Sequence, residues 1–200
     1  MQSITRVVNV FLLVALLACS VIAQDPPPAA REYSPNTWKE FTSKEGRFSV
    51  LFPGTPTKND RNLDTPAGPV PTHGFLVQSD VSVYYLSYSE FPNVGRLTPQ
   101  DQKEMLDSSR NDVINDGAKL ISEADVTVGG TPGRELLAEK DGMILRARIA
   151  YINGRLFNLI IGVQANTAFT KGKPSANVAD RTELFEQISA KFFDSFKLTK

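Results

Sequence analysis

Cysteine is almost missing from this chain of 200 residues: Cys19 stands alone. No disulfide can therefore staple the folded part, and a thiolate metal site is excluded. Histidine is as scarce, with His73 the single example. A zinc site would have to be built almost wholly from carboxylates, which zinc proteins rarely do. A Ser-His-Asp hydrolase could recruit His73, but no G-x-S-x-G elbow occurs, and the prolines around His73 place it in a surface loop. Excess charge is absent too: 22 Lys and Arg balance 22 Asp and Glu. No overall field draws the chain to nucleic acid or to an anionic membrane surface.

Phosphate-binding motifs are likewise missing. The run from Gly129 through Gly130-Thr131-Pro132-Gly133 to Arg134 is glycine-rich but lacks G-x-x-x-x-G-K-[ST], and so does Lys171-Gly172-Lys173-Pro174. Carboxylate pairs such as Glu123 and Asp125 carry no information about the separation that glycoside hydrolysis needs. The expectation is no catalytic set, no metal and no cofactor.

What is present begins with an address. Arg6 precedes an apolar run over residues 7–18 that is short for a bilayer span and reads as a secretory signal over residues 1–23. Val21-Ile22-Ala23 supplies small or compact residues for cleavage before Gln24. A second reading takes Leu16-Leu17-Ala18-Cys19 as a lipobox with Cys19 acylated, so that a membrane is met only through an N-terminal lipid. Residues 24–36, with Pro26-Pro27-Pro28, form a proline-rich spacer. Residues 37–200 have the composition of one globular domain, without a second linker or an internal repeat.

Within that domain, residues 47–52 read as a strand closed by Pro53-Gly54-Thr55-Pro56. Residues 58–71 read as a long exposed connection. Residues 74–78 and 81–89 form a hairpin about a Ser79-Asp80 turn. Thr98-Pro99-Gln100-Asp101 is a helix start: a hydroxyl cap, a proline where its missing N–H costs nothing, and a carboxylate three residues on. That helix should run to about Asn115 and stop at Gly117, burying Met105, Leu106, Ser109, Val113 and Ile114. A second helix fits residues 178–191, with Leu184, Phe185, Ile188 and Phe192 on one face. Between them come a strand over 119–128, a loop over 129–133, and three strands over 134–140, 143–152 and 155–164. Asp141-Gly142 and Asn153-Gly154 join the last three as two-residue hairpin turns.

Two-residue turns fix register, so Glu135 should face Arg148, Leu137 face Arg146 and Glu139 face Ile144. Arg148 then has Glu135 directly opposite, and Arg146 has Glu139 on a diagonal. Exposed ion pairs of this kind account for both arginines without a ligand. Phe157, Leu159, Ile161 and Val163 fall on the arginines' side, and Met143, Leu145, Ala147, Ile149 and Tyr151 on the other. Both sides of the sheet need cover, as in a sheet between helical layers. Tyr84, Tyr85 and Tyr88 are candidates for lining a ligand groove. The segments 57–72 and 164–177, read as irregular, are candidates for recognition.

The run from Trp38 through Phe52-Pro53-Gly54-Thr55-Pro56, the Gly130-Thr131-Pro132-Gly133-Arg134-Glu135 segment, the two turns of the meander and the closing Phe192-Phe193-Asp194-Ser195-Phe196-Lys197-Leu198 together resemble the PsbP-like superfamily. That group includes the extrinsic photosystem II subunit PsbP, a small Ran-binding import factor and many exported bacterial proteins of unknown function. The resemblance covers most of residues 38–198. It implies an α/β (α+β) fold, an α/β/α sandwich around a central antiparallel sheet, and no catalytic set. A secretory signal in place of a transit peptide means that neither a photosynthetic role nor Ran binding carries over, and the exported bacterial branch is the nearest. The resulting expectation is an exported, non-catalytic domain that binds a protein or envelope component. Its alternatives are a lipid or small-ligand carrier and an envelope hydrolase using His73; oligomeric state and partner identity are not written in the sequence.

Overall fold

The computed structural model describes residues 38–65, 68–79, 82–91, 98–164 and 178–200. The expected signal, the spacer, Cys19, Asp80, the 165–177 connection and Lys171-Gly172-Lys173-Pro174 lie outside the described residues.

In chain order the elements are β1 (Lys39–Ser43), β2 (Phe48–Phe52), β3 (Thr57–Thr65), β4 (Gly68–Gln78), β5 (Ser82–Glu90), α1 (Pro99–Asn115), β6 (Lys119–Val128), β7 (Thr131–Lys140), β8 (Met143–Ile152), β9 (Arg155–Gln164), α2 (Val178–Asp194) and β10 (Lys197–Leu198). Seven strands make an antiparallel sheet in the order β3-β4-β5-β9-β8-β7-β6, and β1-β2-β10 make a small second sheet.

The meander forms because its turns allow little else. Asp141 and Gly142 sit at φ 50° and 75°, Asn153 and Gly154 at 50° and 86°, the left-handed pairs whose twist matches the flanking strands. Lys140 consequently faces Met143, and the register continues outward to Glu135 opposite Arg148, as the turn chemistry predicts. Gly129 and Gly130 likewise make a tight turn, so β7 begins at Thr131 where a longer loop was expected.

Each face of the large sheet is covered differently. On one, α2 and β2 share a single core in which Phe48, Phe52, Phe157 and Phe192 are almost wholly buried. Phe48 alone touches the rings of Phe41, Phe75, Tyr88, Phe157 and Phe196. Burying one such ring stabilises the fold by about 1.5–3 kcal/mol. On the other face, α1 lays Met105, Leu106 and Val113 over Leu136, Ile149, Tyr151 and Leu156. The architecture is thus the expected α/β/α sandwich, with the small sheet completing the α2 layer.

The segment 58–71 is not an irregular connection. β3 pairs with β4 from Thr57 opposite Leu76 to Thr65 opposite Gly68. Its polar composition suits an edge strand, where charge discourages pairing with other chains. Pro69 and Pro71 are tolerated in β4 because β5 joins only from Thr72, so that stretch of β4 has a single neighbour. His73 therefore sits in a paired strand, not in a loop.

Candidate functional site

The two arginines face α2. Arg148 Nε donates to Glu135 Oε2 at 2.7 Å, and its Nη1 donates to Asp194 Oδ1 at 3.0 Å at the end of α2. Arg146 does not pair with Glu139. Its Nη1 donates to Glu186 Oε2 at 2.6 Å, its Nη2 bonds the other oxygen of that carboxylate, and Glu135 Oε1 lies 3.8 Å from Nε. The reason is the helix: α2 brings Glu186 within reach of both ends of the guanidinium fork, a geometry that a diagonal cross-strand glutamate does not offer. The carboxylate ends on α2 are open, Glu186 52% and Asp194 68% exposed, while the two arginine side chains are only 12% and 21% exposed, with Arg146 5.0 Å from the Phe185 ring centre and Arg148 4.7 Å from that of Phe193. The same bond holds the Glu186 carboxyl below its ordinary pKa and pushes the Arg146 guanidinium up.

A matching set ties down α1. Arg134 bonds Asp107 at 2.5 Å and Glu123 at 3.0 Å, Arg110 bonds Glu123 at 3.0 Å, and Lys140 pairs with Asp116. Lys103 and Arg134 together hold the Asp107 carboxyl below the usual range. These cations join helices to the sheet, and Arg134, despite its glycine-rich approach, is part of that scaffold.

The tyrosines do not share a groove. Side chains alternate along β5, so Tyr84 and Tyr88 enter the α2-side core at 1% exposure, while Tyr85 points to the α1 side against Ala147 and Ile160. Burial pushes the Tyr88 hydroxyl pKa up.

His73 lies beside Tyr88, with ring centres 4.9 Å apart, and its Nδ1 is 3.3 Å from Asp60 Oδ1. Arg155 covers the Tyr88 ring at 5.0 Å and bonds Glu90 at 2.7 Å. By alternation His73 shares the face of Tyr88, whereas the buried hydroxyls of Thr72, Ser87 and Ser89 lie on the opposite face. The sheet itself separates the histidine from those hydroxyls.

Those hydroxyls belong to a polar stretch that sequence reasoning missed. Thr72 and Ser89, opposite one another in register, are hydrogen-bonded at 2.8 Å. Ser87 faces Asn158 on β9, which is 3% exposed, and Arg61 on β3 faces Thr72. Neither Asn158 Oδ1 nor Arg61 Nε, both buried, finds a hydrogen-bond partner among the described residues. Leaving a buried polar group unsatisfied costs about 1–3 kcal/mol. The available signal was Asn158 itself, one amide inside the apolar run Leu156 to Val163.

Among the described residues no group of three or more His, Cys, Asp or Glu could hold a metal, and no helix is long and apolar enough to cross a membrane.

This arrangement of layers is shared with a solved structure. Cyanobacterial PsbP (CyanoP) from Synechocystis sp. PCC 6803, known in solution, superposes with a TM-score of 0.51 at 13% identity, covering 87% of this chain and 99% of that one. The fold is PsbP-like. LpqN of Mycobacterium tuberculosis, involved in cell envelope biogenesis, matches with a TM-score of 0.37 at 16% identity over 83% of this chain and 80% of its own. PA94 of Pseudomonas aeruginosa, a protein of unknown function, matches at 0.34 and 10% identity over 76% of this chain and 93% of its own. No family model and no curated protein matches the sequence. At these identities the PsbP-like match speaks for architecture and leaves activity to the residues.

Proposed function

We propose that this chain is an exported, non-catalytic domain that acts by binding a protein or an envelope component. The observation that carries the reading is the use made of its ionisable groups. Arg134, Lys140, Arg146 and Arg148, cations drawn well into the molecule, each bond a carboxylate on a helix or, for Lys140, on the residue that caps α1. His73 is turned away from the buried hydroxyls of its neighbouring strands, which disfavours the hydrolase alternative. Tyr84 and Tyr88 on one face and Tyr85 on the other disfavour a carrier built on the three rings together.

What remains outward is recognition surface. β6 pairs only with β7, is exposed along most of its ten residues, and carries Ile121, half exposed at a bulge. A strand with one free edge can accept a partner's backbone while its side chains select it. The test uses the mature chain as bait in an extract of its own host's envelope, with and without Ile121→Lys. Capture of a protein by the parent and its loss in the equally stable variant support the reading. Equal capture by both moves the contact away from the β6 edge, whereas capture by neither, or turnover of an envelope substrate that is lost in His73→Ala, overturns the reading.

A further inference from the structure

The β6 edge discriminates among the strands that could join it. Leu120 and Ser122 pair with successive residues of β7, so Ile121 is an extra residue that breaks the alternation of side chains. Lys119, opposite Glu139, therefore lies on the α2 side of the sheet, while Glu123 and Asp125, opposite Leu136 and Arg134, lie on the α1 side. Past that bulge, residues 122–128 contain no lysine, arginine or proline, the residues that ordinarily keep an edge from being extended. The opposite edge of the sheet, β3, carries Lys58, Asp60 and Arg61, charges of both signs.

Charge narrows the occupant in two ways. Arg134 stands opposite Asp125 but bonds Asp107 and Glu123, and Arg110 bonds Glu123 as well. Asp125, exposed, is left without an ion pair among the described residues. A second copy of the chain cannot answer it. Antiparallel pairing of β6 with itself sets Glu123 opposite Asp125 when centred on Ala124, and Asp125 opposite Asp125 when centred on that residue. Both registers bring like charges together, so the edge repels its own kind. On the other side of the strand, exposed Ala124 and half-buried Val126 offer a shallow apolar surface. We propose that residues 122–128 of β6 are extended by a strand of a partner protein that sets a lysine or arginine opposite Asp125 and small apolar residues opposite Ala124 and Val126. This rests on the binding reading above and adds the partner's chemistry. Backbone hydrogen bonds along the new ladder supply affinity, and the cation opposite Asp125 supplies selection.

The probe is a capped peptide of the length of residues 122–128 that alternates lysine and valine, added to the full mature chain, with the glutamate and valine peptide as its control. Expected are shifts of the backbone amide resonances along residues 122–128 at millimolar lysine peptide, and affinity for the glutamate peptide at least about threefold weaker. Asp125→Lys, at an exposed position without an ion pair, should keep the fold and invert that preference. Asp125→Asn should bind both peptides alike, since it keeps the backbone edge and loses the charge. Absence of shifts along β6, equal affinity of the parent for the two peptides, an unchanged preference in Asp125→Lys, or a dimer of the free chain formed through β6 would each overturn the proposal. If the parent captures an envelope protein yet binds the two peptides equally, the partner's chemistry is wrong and the binding reading stands. Capture of nothing from the envelope overturns that reading, whatever the peptides do.

Discussion

Arg148 reaches from the middle of β8 to Asp194, the last residue of α2, its Nη1 donating to Oδ1 at 3.0 Å. A carboxylate at that end of a helix faces the negative pole of the helix dipole and is out of place there. The arginine offsets it, while the Phe193 ring beneath the guanidinium fixes where the helix stops. The pair thus ends α2 against the sheet and aims the chain toward Phe196 and β10.

Removing the two partners should therefore have unequal effects. Asp194 is 68% exposed, and Asp194→Asn should change stability by less than about 0.5 kcal/mol. Arg148→Ala removes a packed stem, a ring contact and the partner of Glu135, and should cost about 1–3 kcal/mol. Urea unfolding of both single variants and the double variant checks this. A coupling between them above about 1 kcal/mol would show that the exposed end matters more than the ring contact.

Acid should loosen both helices. The Asp107 carboxyl is held below its ordinary 3.8 by Lys103 and Arg134, and that of Glu186 below 4.5 by Arg146. A carboxylate depressed in the folded state contributes stability above its unfolded pKa and loses it as pH falls through the folded value. Stability should be level from neutrality down to about pH 5 and then decline. Asp107→Asn should cost about 0.5–1 kcal/mol at neutral pH, after discounting for solvent screening, and should flatten the acid limb. Unfolding midpoints taken across the acid range measure both effects.

The start of α1 offers a local test. Thr98 Oγ1 accepts from the Asp101 N–H at 3.2 Å, and Asp101 Oδ2 accepts from the Thr98 N–H at 2.9 Å, a reciprocal cap. Thr98→Ala should cost about 1 kcal/mol, and Thr98→Ser should keep most of it. Hydrogen exchange at the first turn of α1 is the readout, with faster exchange confined to that turn in the alanine variant.

The parts of the fold legible in the sequence are those with a local cause. Asp141-Gly142 and Asn153-Gly154 dictated two turns, and with them the register that sets Glu135 opposite Arg148. Thr98 and Pro99 dictated where α1 begins. β3 was hidden because an edge strand has no core face along most of its length, so Asn59, Asp60 and Arg61 alternate with nothing apolar. β1 and β10 are too short to show a period. The Arg146–Glu186 bond spans 40 residues and depends on how α2 rotates about its own axis, which no cross-strand count contains. Asn158 was visible as a letter, but its isolation depends on what stands beside it on β5 and β8, the two strands paired with its own.

Gly74 tests the close packing on the Tyr85 side of the sheet. It lies in β4 between Asn59 on β3 and Ser87 on β5, and a Cβ there would come within 2.7 Å of the Asn59 carbonyl oxygen and 2.8 Å of the Tyr85 hydroxyl. The glycine is needed for closeness of approach, since an ordinary strand conformation would accept any residue. Gly74→Ala should cost about 1–3 kcal/mol. Tyr85→Phe in the same chain should restore only part of that loss, because it removes the hydroxyl and leaves the carbonyl of an adjacent backbone, which can move only by straining the β3–β4 ladder. Thermal unfolding of the two singles and the double decides the point. Full recovery in the double variant would mean that the Tyr85 hydroxyl alone sets the tight fit, and no recovery would put the whole cost on the β3 backbone and the ring that phenylalanine keeps.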